Sequence, residues 1–433
     1  MQKARRNPKY VGLALILLLV LTFIPLMLYL RSIYFPEEGV LRLPPPDTVG
    51  SMPISAAMRN PGFSDVLTDY SMRITEISQL LWAVQGVTHD GVFRAIPSAG
   101  GTYPLEIFLV QASDSELAEG YYHYSPAGHL LLGNHTAVDG DTVIASFEGD
   151  DRRAISNVSS VFFILAEYSR TTDRYGDRGL QYVHLEVGHA IQNFLLQLAS
   201  LGLKTRPITD FVVESIRTLL NTSYIPLVAL PVGLGSGGSQ EPQASTTAEN
   251  EPTVEHTILR RKSTRDYLNG SIPFAVLSDI LNDSRSITYL NSNSSLLDIR
   301  IVAGQVDGLT AGIYRYWPLN DSLTQTALGD LREELKYAGL NQPWIEAAQL
   351  DLVISVDRNW AEESADTSFA HQMLMISVGM LAQNICLKCV AYGLGMVTVG
   401  AMYEGTVGTV VDLPNNFKPI YIMPIGLTPD FHG

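Results

Sequence analysis

Cysteine is nearly absent from this 433-residue chain, which has two, so no disulfide framework holds the fold and packed apolar side chains must do so. Positive charge is scarce as well: 29 Lys and Arg stand against 44 Asp and Glu, a formal net charge of -15. Phosphate backbones are bound by clustered Lys and Arg, so this balance argues against nucleic acid and for small molecules or neutral surfaces as partners. A Walker phosphate loop, a His-Glu-x-x-His pair and a Cys/His cluster are all missing. His184, His189 and His371 lack metal-ligand spacing, and no metal is expected.

Hydrophobic residues make up 46% of the chain, enough for more than one core, and the length suggests two domains. The uncharged run from Val11 to Leu30 is long enough to cross the roughly 30 Å hydrocarbon layer as a helix. No small-residue cleavage site follows it, which favours a permanent anchor over a removed signal. Lys3, Arg5, Arg6 and Lys9 precede the run and Arg31 stands almost alone after it, so the bias of positive charge keeps residues 1–10 cytoplasmic and puts the folded part outside the cell membrane. N-x-S/T sequons at Asn134, Asn157, Asn221, Asn269, Asn282, Asn293 and Asn320 suit an exported chain.

After residues 11–30, residues 31–55 read as a Pro-rich stalk, and 233–253 as a Gly/Ser/Thr/Glu linker without apolar period. The linker separates two segments of nearly equal length, 56–232 and 254–433. They repeat one another. The stretch QYVHLEVGHAIQNFLLQLASLGL aligns without a gap with its second-half counterpart, so that Gly188, Gln192, Asn193 and Gly202 meet Gly379, Gln383, Asn384 and Gly393. Both read as a long buried helix stopped by Gly. ITEISQLLWA, LEIFLVQA, GYYHYSP, SVFFILAEYSR and IPLVALPVGL find partners in the same order in IPFAVLSDILN, LDIRIVAG, GIYRYWP, LDLVISVDRNW and KPIYIMPIGL. Each half is expected to be an α+β domain, its helices packed on a mainly antiparallel sheet. Cys386 and Cys389 form a C-x-x-C, but they lie on the second long helix opposite Leu195 and Leu198 and read as core.

Two local patterns carry chemistry. RRKSTRDY gathers Arg260, Arg261, Lys262, Ser263 and Arg265 just after the linker; it is either a solvated basic turn or a cradle for a dianionic phosphate. PSAGGTYP, from Pro97, has no charge and too many small residues for a helix or strand interior; it is either a strand-entry turn or a loop whose backbone meets a ligand closely.

Together with DRYGDRGLQYVHLEVGHAIQN and the G-x-Y-x-Y segments, these motifs resemble the nitroreductase superfamily, and within it the SagB-type dehydrogenases that include azoline-to-azole oxidases. The resemblance covers nearly all of residues 56–428. It implies two tandem FMN-dependent domains that form an intramolecular pseudo-dimer behind one N-terminal transmembrane helix. It also implies that Arg260 or Arg261, Ser263 and Arg265 hold the FMN phosphate and ribityl chain, while Pro97, Ser98, Ala99 and Gly100 lie against the flavin. Gln342, Val399, Gly400 and Ala401 correspond to contacts with the ring edge, although a helix start and a strand-end turn explain them equally. Arg174 and Tyr175 occupy the place of a Lys-Tyr pair used for acid-base work. Arg, with a pKa above roughly 12, is a poor proton shuttle, and Tyr175 alone could be a surface-loop tyrosine.

Each half keeps one part of the implied site. The first has PSAGG but RNPGFSDV in place of the basic motif; the second has RRKSTR but NSNSSLL in place of the loop. One FMN site per chain is therefore expected, built from both halves, and the other site is expected to be dead. The functional expectation is a membrane-anchored FMN oxidoreductase acting on a small molecule or modified peptide. The alternative is a degenerate flavin-binding or non-catalytic scaffold outside the cytoplasm.

Overall fold

A computed structural model of the chain describes residues 39–89, 93–112, 116–134, 140–156, 158–235, 251–284 and 296–432. The apolar run Val11–Leu30 lies outside the described residues. The first half contains β1 (Val40–Arg42), β2 (Leu67–Thr68), β3 (Leu105–Gln111), β4 (Gly120–Ser125), β5 (Leu130–Asn134), β6 (Ser160–Ala166), β7 (Lys204–Thr205) and β8 (Ile225–Gly235). They form one sheet in the order β1-β5-β4-β3-β6-β8-β2, with β7 also on β8. The second half contains β9 (Ile272–Pro273), β10 (Leu297–Ala303), β11 (Val306–Asp307), β12 (Gly312–Trp317), β13 (Ser322–Leu328), β14 (Leu350–Asp357), β15 (Leu394–Met396) and β16 (Phe417–Leu427). Its sheet runs β13-β12-β10-β14-β16-β15, and β9 pairs with β11 apart from it.

The path β5-β4-β3-β6-β8 thus returns as β13-β12-β10-β14-β16, with every step antiparallel. One irregularity is shared as well. The register slips between Ile164 and Leu165 where β6 meets β8, and between Ile354 and Ser355 where β14 meets β16. β6 is buried along its whole length, as the unbroken apolar run SVFFILA requires of a strand covered on both faces. β4 alternates buried and half-buried side chains, the period of a strand with one face in the core.

The helices that matter for the site are α1 (Ile54–Arg59), α2 (Ile74–Gln85), α3 (Ser169–Tyr175), α4 (Arg178–Leu201), α5 (Val254–Arg260), α6 (Phe274–Ser284) and α7 (Thr367–Ala391). Gly202 ends α4 in the left-handed region at φ 71°, and Asp366 caps α7 by accepting from the Phe369 N–H at 2.9 Å. α7 is long and apolar enough to cross a bilayer, yet 94% of its apolar stretch is buried in the protein. It is apolar on all sides because it is packed on all sides.

α4 and α7 cross at Gly188 and Gly379. A Cβ built on Gly188 would stand 2.8 Å from the Gly379 Cα, so only glycine lets the two backbones approach this closely. Beside the crossing, Gln192 donates to Asn384 at 2.7 Å and Gln383 donates to Asn193 at 2.7 Å, the same bond made twice across an approximate two-fold axis. His189 Nδ1 lies 2.7 Å from Gln383 Oε1. The aligned glycines therefore meet each other, and each aligned Gln bonds the Asn beside its own counterpart. Cys386 and Cys389 are buried and free, in the core of this crossing helix.

Two expected boundaries need correction. Residues 31–55 are not a stalk throughout: β1 pairs with β5 as an edge strand, Leu43 is buried, and Ile54 opens α1. The run of three prolines hid a strand of three residues beside it. The linker is also shorter than 233–253, because Gly233 to Gly235 finish β8 and Thr253 caps α5 by accepting from the His256 N–H at 3.2 Å.

Candidate functional site

A cavity of about 430 Å³ opens between the halves, within the roughly 300–1,000 Å³ of small-molecule sites. The first half supplies Pro97, Ser98, Ala99, Gly100, Arg174 and Tyr175, and the second supplies Ser263, Arg265, Gln342, Val399, Gly400 and Ala401. Tyr182, Glu186, Trp344, Val397, Thr398 and Tyr421 complete the wall.

The loop from Pro97 takes its shape from glycine. Gly100 and Gly101 have φ of 60° and 67°, and the Ser98 hydroxyl accepts from the Tyr103 N–H at 2.9 Å to close the turn. A side chain at Gly100 would collide with Tyr175 and, at 2.9 Å, with the Arg174 Cζ. Arg174 is tied to this loop: its Nη1 donates to the Gly100 carbonyl at 3.0 Å. A guanidinium used this way positions the loop. Tyr175 is half-buried, its ring 5.2 Å edge-on from that of Tyr182. Across the cavity, the Arg265 guanidinium lies 5.2 Å from the Trp344 ring, and both Arg265 and Ser263 are exposed. Gln342 Nε2 donates to the Gly339 and Ala401 carbonyls at 2.7 and 3.1 Å, fixing the far edge.

Arg260 and Arg261 do not reach the cavity, contrary to their expected role as phosphate ligands. Arg260 is exposed and pairs with Asp430 at 2.9 Å. Arg261 is 4% exposed and donates to the Ala95 and Arg94 carbonyls at 2.9 and 3.0 Å. The chain leaves α5 in extended form after Arg261, and only Ser263 and Arg265 of the basic run face the opening. No sequence motif marks Tyr182, Glu186, Trp344 or Tyr421 as cavity residues, since they sit on regular elements. The one usable signal was the spacing of Tyr182 and Glu186, four apart on a helix.

The charge in this cavity is positive. Arg174 and Arg265 are at its rim, and burial pushes the Glu186 carboxyl up to about 8, so it is neutral at pH 7. A two-fold mate, about 400 Å³, lies on the opposite side. Residues 206–210 replace 397–401, Met373 replaces Tyr182, and Ser377 replaces Glu186. Its arginine is spent: Arg206 pairs with Asp151 at 3.0 Å and Asp65 at 3.5 Å. Of the segment NSNSSLL, only Leu296 and Leu297 fall among the described residues. Among those residues, no group of three or more His, Cys, Asp or Glu could hold a metal ion.

Fold and site together define a two-repeat α+β protein with a cation-rimmed, aromatic-walled cavity bordered by both repeats. The model of the nitroreductase family matches residues 68–234 and again residues 258–427. The chain belongs to the nitroreductase family, a family of oxidoreductases. It is 39% identical over 163 residues to a Methanocaldococcus jannaschii protein named as a nitroreductase, covering 37% of this chain and 81% of that protein. It is 26% identical over 144 residues to the microcin B17-processing protein McbC of Escherichia coli, covering 32% of this chain and 53% of McbC. A nitroreductase-type crystal structure from Anabaena variabilis superposes with a TM-score of 0.70 at 21% identity, covering 89% of this chain and 93% of that one, a likeness of fold alone.

Proposed function

We propose that the chain is an FMN-dependent oxidoreductase of the SagB type, with one working site per chain assembled from both repeats. The observation that supports this reading is the meeting of the Pro97–Gly100 loop and the Ser263/Arg265 pair in one cavity. These residues fit the cofactor: the Arg265 guanidinium and Ser263 hydroxyl for a dianion, a glycine-shaped loop for close backbone approach, and aromatic walls for a planar ring. Bound FMN would supply reversible two-electron chemistry.

The protein's own part is to bind, orient and handle a proton. Arg265 and Ser263 hold the phosphate end. Arg174 keeps the Pro97 loop in place through the Gly100 carbonyl. The Tyr175 hydroxyl, next to Gly100, is the group that gives or takes a proton, since the Arg174 guanidinium is spent on the Gly100 carbonyl. Tyr182, Trp344 and Tyr421 exclude water. The substrate is a heterocycle in a modified peptide, a nitroaromatic, a quinone or a related small molecule. Val11–Leu30 anchors the chain, with its folded part outside the cytoplasmic membrane; protease added to intact cells would then digest that part, and full protection would contradict the topology.

The functional test is FMN binding by the full-length chain in detergent, followed by its visible spectrum. Arg265→Ala and Gly100→Trp lie in different repeats and are each expected to abolish the same flavin signal. A variant that retains full flavin content would refute the shared site, and a colourless parent that cannot take up FMN would favour the non-catalytic scaffold.

A further inference from the structure

Glu186 has no part in the function just proposed, although it lines the same cavity. It stands one turn after Tyr182 on α4 and is 3% exposed. Its Oε1 has no hydrogen-bond partner among the described residues. An unpaired buried oxygen is a costly feature and is tolerated where another molecule meets it. The rest of the carboxyl is not bare: Ser98 from the loop side and Gln85 at the end of α2 hydrogen-bond to it, Arg94 acts on it by charge, and Tyr421 faces it from β16. Arg94, the nearest cation, is engaged elsewhere: it stacks 4.1 Å from the Tyr103 ring and donates to Gln85 Oε1 at 2.7 Å. Tyr182, Tyr175, Arg174 and Arg265 share the cavity wall. His189, one turn further along α4, is held neutral by burial. Burial outweighs the pull of Ser98, Arg94 and Gln85, and the Glu186 carboxyl is pushed up to about 8. At pH 7 it is an acid with a proton to donate. The two-fold mate, Ser377, turns its hydroxyl back to the Met373 carbonyl at 2.9 Å, so the other cavity has no carboxyl at this position.

We infer that Glu186 is a ligand-contacting residue of this cavity, a buried carboxylic acid that donates a hydrogen bond to an acceptor on the ring of the bound molecule, a carbonyl oxygen or an imine nitrogen. The inference rests on the flavin reading of the cavity. Glu186 selects rings that carry such an acceptor. Once ionised it sets a buried negative charge against the same acceptor, and binding weakens.

The test is the Kd for FMN of the full-length chain in detergent, read by flavin fluorescence from pH 6.5 to 9.5, for the parent, Glu186→Gln and Glu186→Leu. If binding needs the protonated acid, the parent Kd rises about tenfold between pH 7 and pH 9. Glu186→Gln keeps a donor that cannot ionise and is expected to bind with a flat pH profile. Glu186→Leu is expected to bind about tenfold more weakly at pH 7, the loss of one hydrogen bond. A flat parent profile, or a Gln variant that keeps the parent's slope, overturns the role of Glu186 while leaving FMN binding intact. A parent that binds no FMN at any pH overturns the flavin reading as well.

Discussion

Arg260 and Arg261 are adjacent in the chain, and the structure puts them to different uses. Arg260 makes one exposed ion pair; Arg261 is buried and holds two carbonyls just ahead of the Pro97 loop. Arg260→Ala should change stability by no more than about 0.5 kcal/mol. Arg261→Ala strands the carbonyls of Arg94 and Ala95 and should cost about 1–3 kcal/mol. Thermal melting of the two variants checks this, and equal losses would contradict the assignment. The Pro97 loop was legible in the sequence because glycine marks the positive φ that the turn needs. The direction of Arg261 was not, because a run of basic residues does not disclose which side chains a chain leaving a helix turns inward. Tyr182 and Glu186 were hidden for a related reason: a helix that is buried on nearly every side gives no phase from which to pick its cavity face.

Among elements, α4 and α7 carried the clearest sequence signal and the structure's central contact. Their gap-free alignment came from repetition, and it also identified the residues that touch, because corresponding positions of a two-fold pair face each other near the axis. Gly188 and Gly379 are there for backbone approach. Gly188→Ala and Gly379→Ala should each force the helices apart and cost about 1–3 kcal/mol of stability, as overpacking does, seen as a lower denaturation midpoint. An unchanged midpoint would mean that the crossing is looser than described. Strand pairing was less accessible. β1 was missed because three residues beside a run of prolines have no period to read, and its place on β5 is set by tertiary contact alone.

At the scale of the molecule, duplication produced two cavities of similar size and unlike chemistry. One presents Arg174 and Arg265 and a protonated Glu186; in the other, Arg206 is already paired with two carboxylates. The halves of the sequence disclosed this asymmetry, since each retains a different motif. That the motifs converge needed the fold, because residues 97–100 and 263–265 are brought together by tertiary contacts, among them the Arg261 hydrogen bonds to the Arg94 and Ala95 carbonyls. Function stands on that convergence, and titration of the full-length chain with FMN tests it most directly. The convergence predicts saturation at one flavin per chain; two flavins per chain, or none, would contradict it.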